Sequence, residues 1–183
     1  ERNAKSENEF KSGNISEALK QVEETILLNS ENFIAFSNKA VFQYNLCLKK
    51  GKLSKVEKNQ IISDFKQSIK ICPKFSKAYR NLIRIAYDFK EFKTVIEYAE
   101  EYNKRFKKSS ELLAALGDAY CEESEFEKGI QVINEAIEIE PVYDFAYIVR
   151  GKCDAELRKF DKAIEDFNEA IKRDSTFSLA YSE

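Results

Sequence analysis

Lys77, Arg80 and Arg84 stand three and four residues apart, a spacing that puts three cations on one face of a helix. An arginine guanidinium takes a carboxylate through two parallel hydrogen bonds, so such a face suits a partner segment bearing a carboxylate, a free C-terminus included. Tyr87, three residues past Arg84, would add apolar contact with a polar tip. The three cations belong to a longer stretch: between Asp64 and Asp88, Lys66, Lys70, Lys74, Lys77, Arg80 and Arg84 occur without an acid. From Ser109 to Val149 the balance reverses, with ten acids and one base, Lys128. A charge run is also what a solvated face looks like, so both readings of the basic stretch stand.

Other chemistry is excluded or disfavoured by residue type. The 183 residues include no histidine, which removes histidine acid/base catalysis, Ser–His and Cys–His nucleophile pairs and nearly every transition-metal site. There is no phosphate-cradling glycine loop, and paired acids such as Glu122 and Glu123 point different ways on a helix. No catalytic residue, metal or cofactor is expected, and the chain reads as not an enzyme. Cys47, Cys72, Cys121 and Cys153 are separated by 25, 49 and 32 residues, with no C-x-x-C pair. They read as four reduced thiols, some packed as small hydrophobes, which favours a reducing, cytoplasmic setting. A net charge of −2 argues against nucleic acid. The longest apolar runs, Leu112–Leu116 and Phe145–Val149, are five residues where a membrane span needs about 20, so no membrane insertion is expected.

The elements that carry these residues must be helices. Five glycines and two prolines are too few for the turns of a β-sandwich or barrel, while 14 Phe and 9 Tyr are too many for a disordered chain. The length allows one ordinary domain or a short repeat array. The pairs Gly117 and Gly151, Ala136 and Ala170, Gly129 and Ala163, and Ile133 and Phe167 are all 34 residues apart, the mark of a helical repeat array. Phe160, Ala163, Ile164, Phe167, Ala170 and Ile171 form one buried helical stripe. Small residues recur where two helix axes come closest.

The motif A-Y-x-x-x-G at 146–151 followed by F-D-K-A-I-E-D-F-N-E-A-I at 160–171 resembles the tetratricopeptide repeat (TPR) family. L-G-D-A-Y at 116–120 with F-E-K-G-I-Q-V-I-N-E-A-I-E-I-E-P at 126–141 is a second copy. A-Y-R-N-L at 78–82 with F-K-T-V-I-E-Y-A at 92–99, and K-S-G-N-I-S-E-A-L at 11–19, are two more. Ile83, Tyr102 and Lys107 depart from the pattern. The resemblance implies an all-α, right-handed solenoid of stacked antiparallel helix pairs. The expected repeats are 1–32, 33–75, 76–109, 110–143 and 144–177, with 178–183 opening a further or capping helix, all in one continuous domain. A chain that opens on Glu1 and stops out of phase is expected to be a fragment.

The second repeat is nine residues too long. Gly51 suits a helix C-terminus and Ser54-Lys55-Val56-Glu57 fits a capping box, so helices over 32–50 and 55–71 should each run about a turn longer than their neighbours. The resulting spur is either a harmless insertion or a partner-docking prong.

In the TPR family the first helix of each repeat lines a concave groove for a peptide or partner helix. The resemblance puts Tyr44, Lys77, Arg80, Arg84, Tyr87 and Asp118 in groove slots. One TPR subclass holds chaperone tails with a five-residue carboxylate clamp; Asn38 and Lys77 occupy two of its slots, and Asn81 stands where the clamp has Arg. The expected partner is therefore another protein or peptide, bound by a scaffold or adaptor module. The alternatives are a regulatory or targeting domain of a larger protein, or a self-associating assembly factor.

Overall fold

The computed structural model describes residues 2–173. The segment 178–183, expected to open a further helix, lies outside them. Among the described residues the chain forms ten α-helices and no strand: α1 Arg2–Lys11, α2 Ile15–Leu28, α3 Phe33–Lys50, α4 Lys55–Ile71, α5 Ser76–Asp88, α6 Phe92–Arg105, α7 Ser110–Glu122, α8 Phe126–Ile139, α9 Asp144–Glu156 and α10 Phe160–Arg173. They gather into two compact units, Glu1–Phe89 with α1 to α5 and Lys90–Glu183 with α6 to α10.

In each unit consecutive helices pack on one another, and next-but-one helices also touch: α1 with α3 and α3 with α5, and in the second unit α7 with α9. This is the all-α solenoid arrangement of stacked helix pairs, stabilised by neighbour-to-neighbour burial. The first unit buries Ile15, Ala18, Val22, Ala35 and Phe42 together, with the Phe10 ring stacked on Phe42 at 4.5 Å. The second buries Leu113, Ala114, Ile133, Ala136, Ala146 and Val149.

Small residues sit where the backbones approach closest. A Cβ on Gly117 would lie 2.5 Å from Ile133 Cδ1, and one on Gly129 would lie 2.9 Å from the Gly117 carbonyl. The turn between the helices of a pair also keeps the period. Lys90, Ser124 and Arg158, each 34 residues after the last, take left-handed backbone with φ of 59, 64 and 59 degrees. Glu125 N–H then reaches back to the Tyr120 carbonyl and Lys159 N–H to the Asp154 carbonyl, both at 2.8 Å, closing the helix end.

α3 and α4 have 18 and 17 residues, against 13 in α5 and 14 in α6. Gly51 closes α3 in the left-handed region, and Ser54 and Glu57 make both bonds of the capping box that opens α4.

One expectation is corrected. Cys121 on α7 and Cys153 on α9 form a disulfide, with Cα atoms 5.7 Å apart; Cys47 and Cys72 are free. A repeat of 34 residues brings positions 32 apart to neighbouring first helices, a proximity that a search for closely spaced metal or redox motifs does not test. The thiol argument for a reducing compartment loses its support with this pair. A Cβ on Gly129 would meet Cys121 Sγ at 2.5 Å, so glycine there leaves room for the bridge.

Candidate partner-binding site

In the first unit, α5 turns Lys77, Arg80, Arg84 and Asp88 to solvent. Steps of three, four and four residues make them one stripe along the helix. The opposite side of α5 is the reason for this orientation: Tyr79, Leu82, Ile83, Ile85 and Ala86 are fully buried and fix the rotation of the helix. Asn81 and Tyr87 are half-buried.

Behind the stripe, α3 supplies Tyr44, only 8% exposed. Its hydroxyl donates to Asp88 Oδ2 at 2.7 Å, and the Arg84 guanidinium lies 5.9 Å from its ring centroid. The Phe89 ring packs at 5.7 Å. Burial first, then the hydrogen bond to Asp88 and the charge of Asp88, push the Tyr44 phenol up to about 12, with Arg84 pulling the other way. At neutral pH Tyr44 is therefore a donor, one oxygen of Asp88 is occupied, and the cations of the stripe outnumber its acid three to one. A hollow of about 260 Å³, lined by Tyr44, Leu48, Lys52, Leu53, Asp88 and Phe89 among others, lies next to this cluster. The arrangement can hold an anionic group on exposed arginines, with an apolar hollow alongside.

Asn38 lies elsewhere on α3. It is 7% exposed, and its Nδ2 donates to Glu7 Oε1 on α1 at 3.0 Å. Asn3 Nδ2 similarly donates to Asn32 Oδ1 at 3.1 Å. Polar side chains in these slots thus join one helix pair to the next.

The second unit uses its slots the same way. Asp118 on α7, 5% exposed, accepts from Lys152 Nζ on α9 at 2.9 Å, and Lys152 also pairs with Glu122. Burial alone would lower the Lys152 pKa, but the hydrogen bonds and charges of Glu122 and Asp118 outweigh it and the pKa is raised. Arg150 takes both oxygens of Asp166, at 2.8 and 2.7 Å, and also donates to Asn134 Oδ1 at 2.7 Å. Hydrogen bonding to Asp166 raises its pKa against the opposing effect of burial.

Of the candidate residues, the structure brings Arg84 to Tyr44 across α5 and α3; Lys77 and Arg80 continue the exposed stripe along α5, and Asn81 and Tyr87 are on the same helix. Asn38 is committed to Glu7, and Asp118 belongs to the second unit. The family's groove slots also include Asp88 and Lys152, but sequence reasoning did not pair them with Tyr44 and Asp118. The signal was present in the repeat itself: Asp118 and Lys152 are 34 residues apart, and one repeat length is the separation at which opposite charges meet across stacked first helices. Among the described residues no group of three or more His, Cys, Asp or Glu could hold a metal ion, and no helix is long and apolar enough to cross a membrane.

The sequence profile of the tetratricopeptide repeat family matches residues 146–177, the segment that contains α9 and α10. The chain carries a tetratricopeptide repeat. Solved structures extend the likeness of fold beyond that segment. A structure of MamA from Desulfovibrio magneticus RS-1 superposes with a TM-score of 0.80 at 16% identity, covering 100% of this chain and 96% of that one. A double mutant of MamA RS-1 gives 0.81 at 16% identity, covering 96% and 93%. YrrB, described as a TPR protein with an unusual peptide-binding site, gives 0.77 at 14% identity, covering 97% and 88%. No curated protein matches the chain in sequence.

Proposed function

We propose that this TPR chain is a non-catalytic protein-interaction module, a scaffold or adaptor, and that the α3–α5 face binds a carboxylate-bearing segment of a partner. The stripe of Lys77, Arg80 and Arg84 carries the reading: three exposed cations on a helix whose rotation is fixed by its buried side. Tyr44 and Tyr87 give the partner's backbone and apolar side chains a surface, and Asn81 offers an amide beside them. Asn38 and Asp118 contribute by holding successive helix pairs in register. YrrB shares the fold and has a peptide-binding site, which supports a peptide as the ligand class.

The test is the affinity of acidic peptides with a free C-terminal carboxylate, compared with their C-terminal amides. Arg80→Ala and Arg84→Ala together should weaken the free-carboxylate peptide about tenfold or more, in line with the loss of charge-assisted bonds, while the melting temperature stays put. Unchanged affinity in the double variant would sink this assignment.

Self-association is the second reading, and one observation favours it. Of the α10 stripe expected to be buried, only Ala163 and Ala170 are; Phe160, Ile164, Phe167 and Ile171 are instead 59%, 56%, 38% and 50% exposed, an apolar stripe of the kind a second copy covers. A molar mass that rises with protein concentration, and falls back on Phe160→Lys and Ile164→Lys, is the expected result.

A further inference from the structure

The turn joining α3 to α4 carries features that the α5 stripe does not use. Residues 48–58 hold five lysines, Lys49, Lys50, Lys52, Lys55 and Lys58, and a single acid, Glu57. Glu57 is already engaged, accepting from the Ser54 backbone N–H at 2.8 Å. Among these cations stand two large apolar side chains, Leu48 and Val56, 59% and 78% exposed. Gly51 closes α3 in the left-handed region and the capping box opens α4, so both ends of the turn are defined.

Beside Val56 a hollow of about 290 Å³ opens between α2, α3 and α4, lined by Leu19, Gln43, Leu46, Cys47, Val56, Glu57 and Gln60. Its size suits one large apolar side chain, at the low end of ligand pockets. Gln43 Oε1 in its wall is buried and has no hydrogen-bond partner among the described residues. A buried acceptor left unmade is costly, and a donor that entered the hollow would relieve that cost.

We infer that the α3–α4 tip is a second docking site, for an acidic peptide segment carrying a leucine- or phenylalanine-sized anchor. The anchor enters the Leu19–Leu46–Val56 hollow, a peptide N–H donates to Gln43, and flanking carboxylates meet Lys49, Lys50 and Lys55. Charge selects the partner, because five lysines face one acid that Ser54 already occupies. The hollow and the unpaired acceptor select a peptide over a bilayer, whose surface offers neither a single inserted side chain nor an N–H at that depth.

The experiment selects a displayed library of random short peptides on the intact protein and measures the enriched peptides by fluorescence anisotropy. Three variants are compared: Val56→Asp, the double reversal Lys49→Glu/Lys55→Glu, and Arg80→Ala/Arg84→Ala. The tip substitutions fall on exposed side chains, and matching circular dichroism and melting curves check that the fold is intact. The expected result is enrichment of acidic peptides with a leucine or phenylalanine. Their affinity drops about tenfold or more in both tip variants and is retained in the arginine variant. Peptides that lose affinity only in the arginine variant overturn the tip site and leave the α5 assignment standing. Enriched peptides without acidic character, or full affinity in both tip variants, also overturn it. So does binding to phosphatidylserine vesicles that the tip variants abolish while no peptide is enriched.

Discussion

The junction of α3 with α5 and the junction of α7 with α9 use equivalent positions and end differently. Arg84, Asp118 and Lys152 succeed one another at 34-residue intervals, and Val41 holds the same slot in the longer second repeat. In the second unit that slot places Asp118 against Lys152, so the charges neutralise each other and help to join the helices. In the first unit it places an apolar Val41 before Arg84, and the guanidinium stays exposed over the Tyr44 ring. The α7–α9 junction also carries a disulfide, whereas a phenol–carboxylate hydrogen bond spans α3 and α5. A charge in a repeat protein is thus available to a partner only where the neighbouring repeat does not answer it. Net charge along the sequence is a poor guide to that availability.

The largest expected effect concerns the bridge. Closing a loop of 32 residues removes denatured-state entropy worth about 3–4 kcal/mol. Denaturant unfolding with and without dithiothreitol should show a loss of that order, and none in a Cys121→Ser/Cys153→Ser variant, which starts already destabilised. Equal stability with and without reductant would remove the covalent half of the contrast.

A smaller effect should separate the two charged slots. Lys152→Ala leaves Asp118, 5% exposed, without its cation. The expected cost is about 1–2 kcal/mol, at the low end for a buried charge because the Lys152 side chain is itself 45% exposed. Arg84→Ala should change stability by no more than about 0.5 kcal/mol, as for other exposed side chains. Similar losses in the two variants would erase the distinction between a committed and an available charge.

The smallest effect tests the hydrogen bond of the first junction. Tyr44→Phe should cost about 1 kcal/mol at neutral pH. Tyr44 and Tyr98 hold their protons up to about 12 in the folded protein, while an unfolded tyrosine ionises near 10. The folded state therefore binds more protons between those values, and stability should fall as pH rises from 10 to 12. The fall should be shallower in Tyr44→Phe, with Tyr98, Tyr120 and Tyr143, whose phenols burial also pushes up, supplying the remainder. An identical alkaline profile in the variant would show that the phenol of Tyr44 is not held by Asp88.

Much of the architecture was legible because it depends on local rules. The 34-residue spacing of Gly117, Gly151, Ala136 and Ala170 marks the helix pairs, since close packing of two helices repeats with the helices themselves. Gly51 and the Ser54–Glu57 box announced the ends of α3 and α4 because capping involves only neighbours in sequence. The left-handed turns at Lys90, Ser124 and Arg158 gave no such notice, because no glycine stands there. The exposed cations of α5 could be read from their spacing, because its apolar residues dictate which side faces inward. The pairing of Asn38 with Glu7 could not, nor that of Tyr44 with Asp88, because each depends on which rotamers meet across two stacked helices.

By itself the sequence determined the helices, their pairing and the solvent side of α5, since periodicity and capping act within a few residues; the exposed apolar stripe of α10 it did not. Tertiary structure decided which polar groups were consumed. Hydrogen bonds, ion pairs and the Cys121–Cys153 bridge form at distances of a few ångströms between residues a whole repeat apart, and small differences in stacking decide whether a charge meets a partner or water. Lys77, Arg80 and Arg84 are left facing water for that reason, and Asp118 is not.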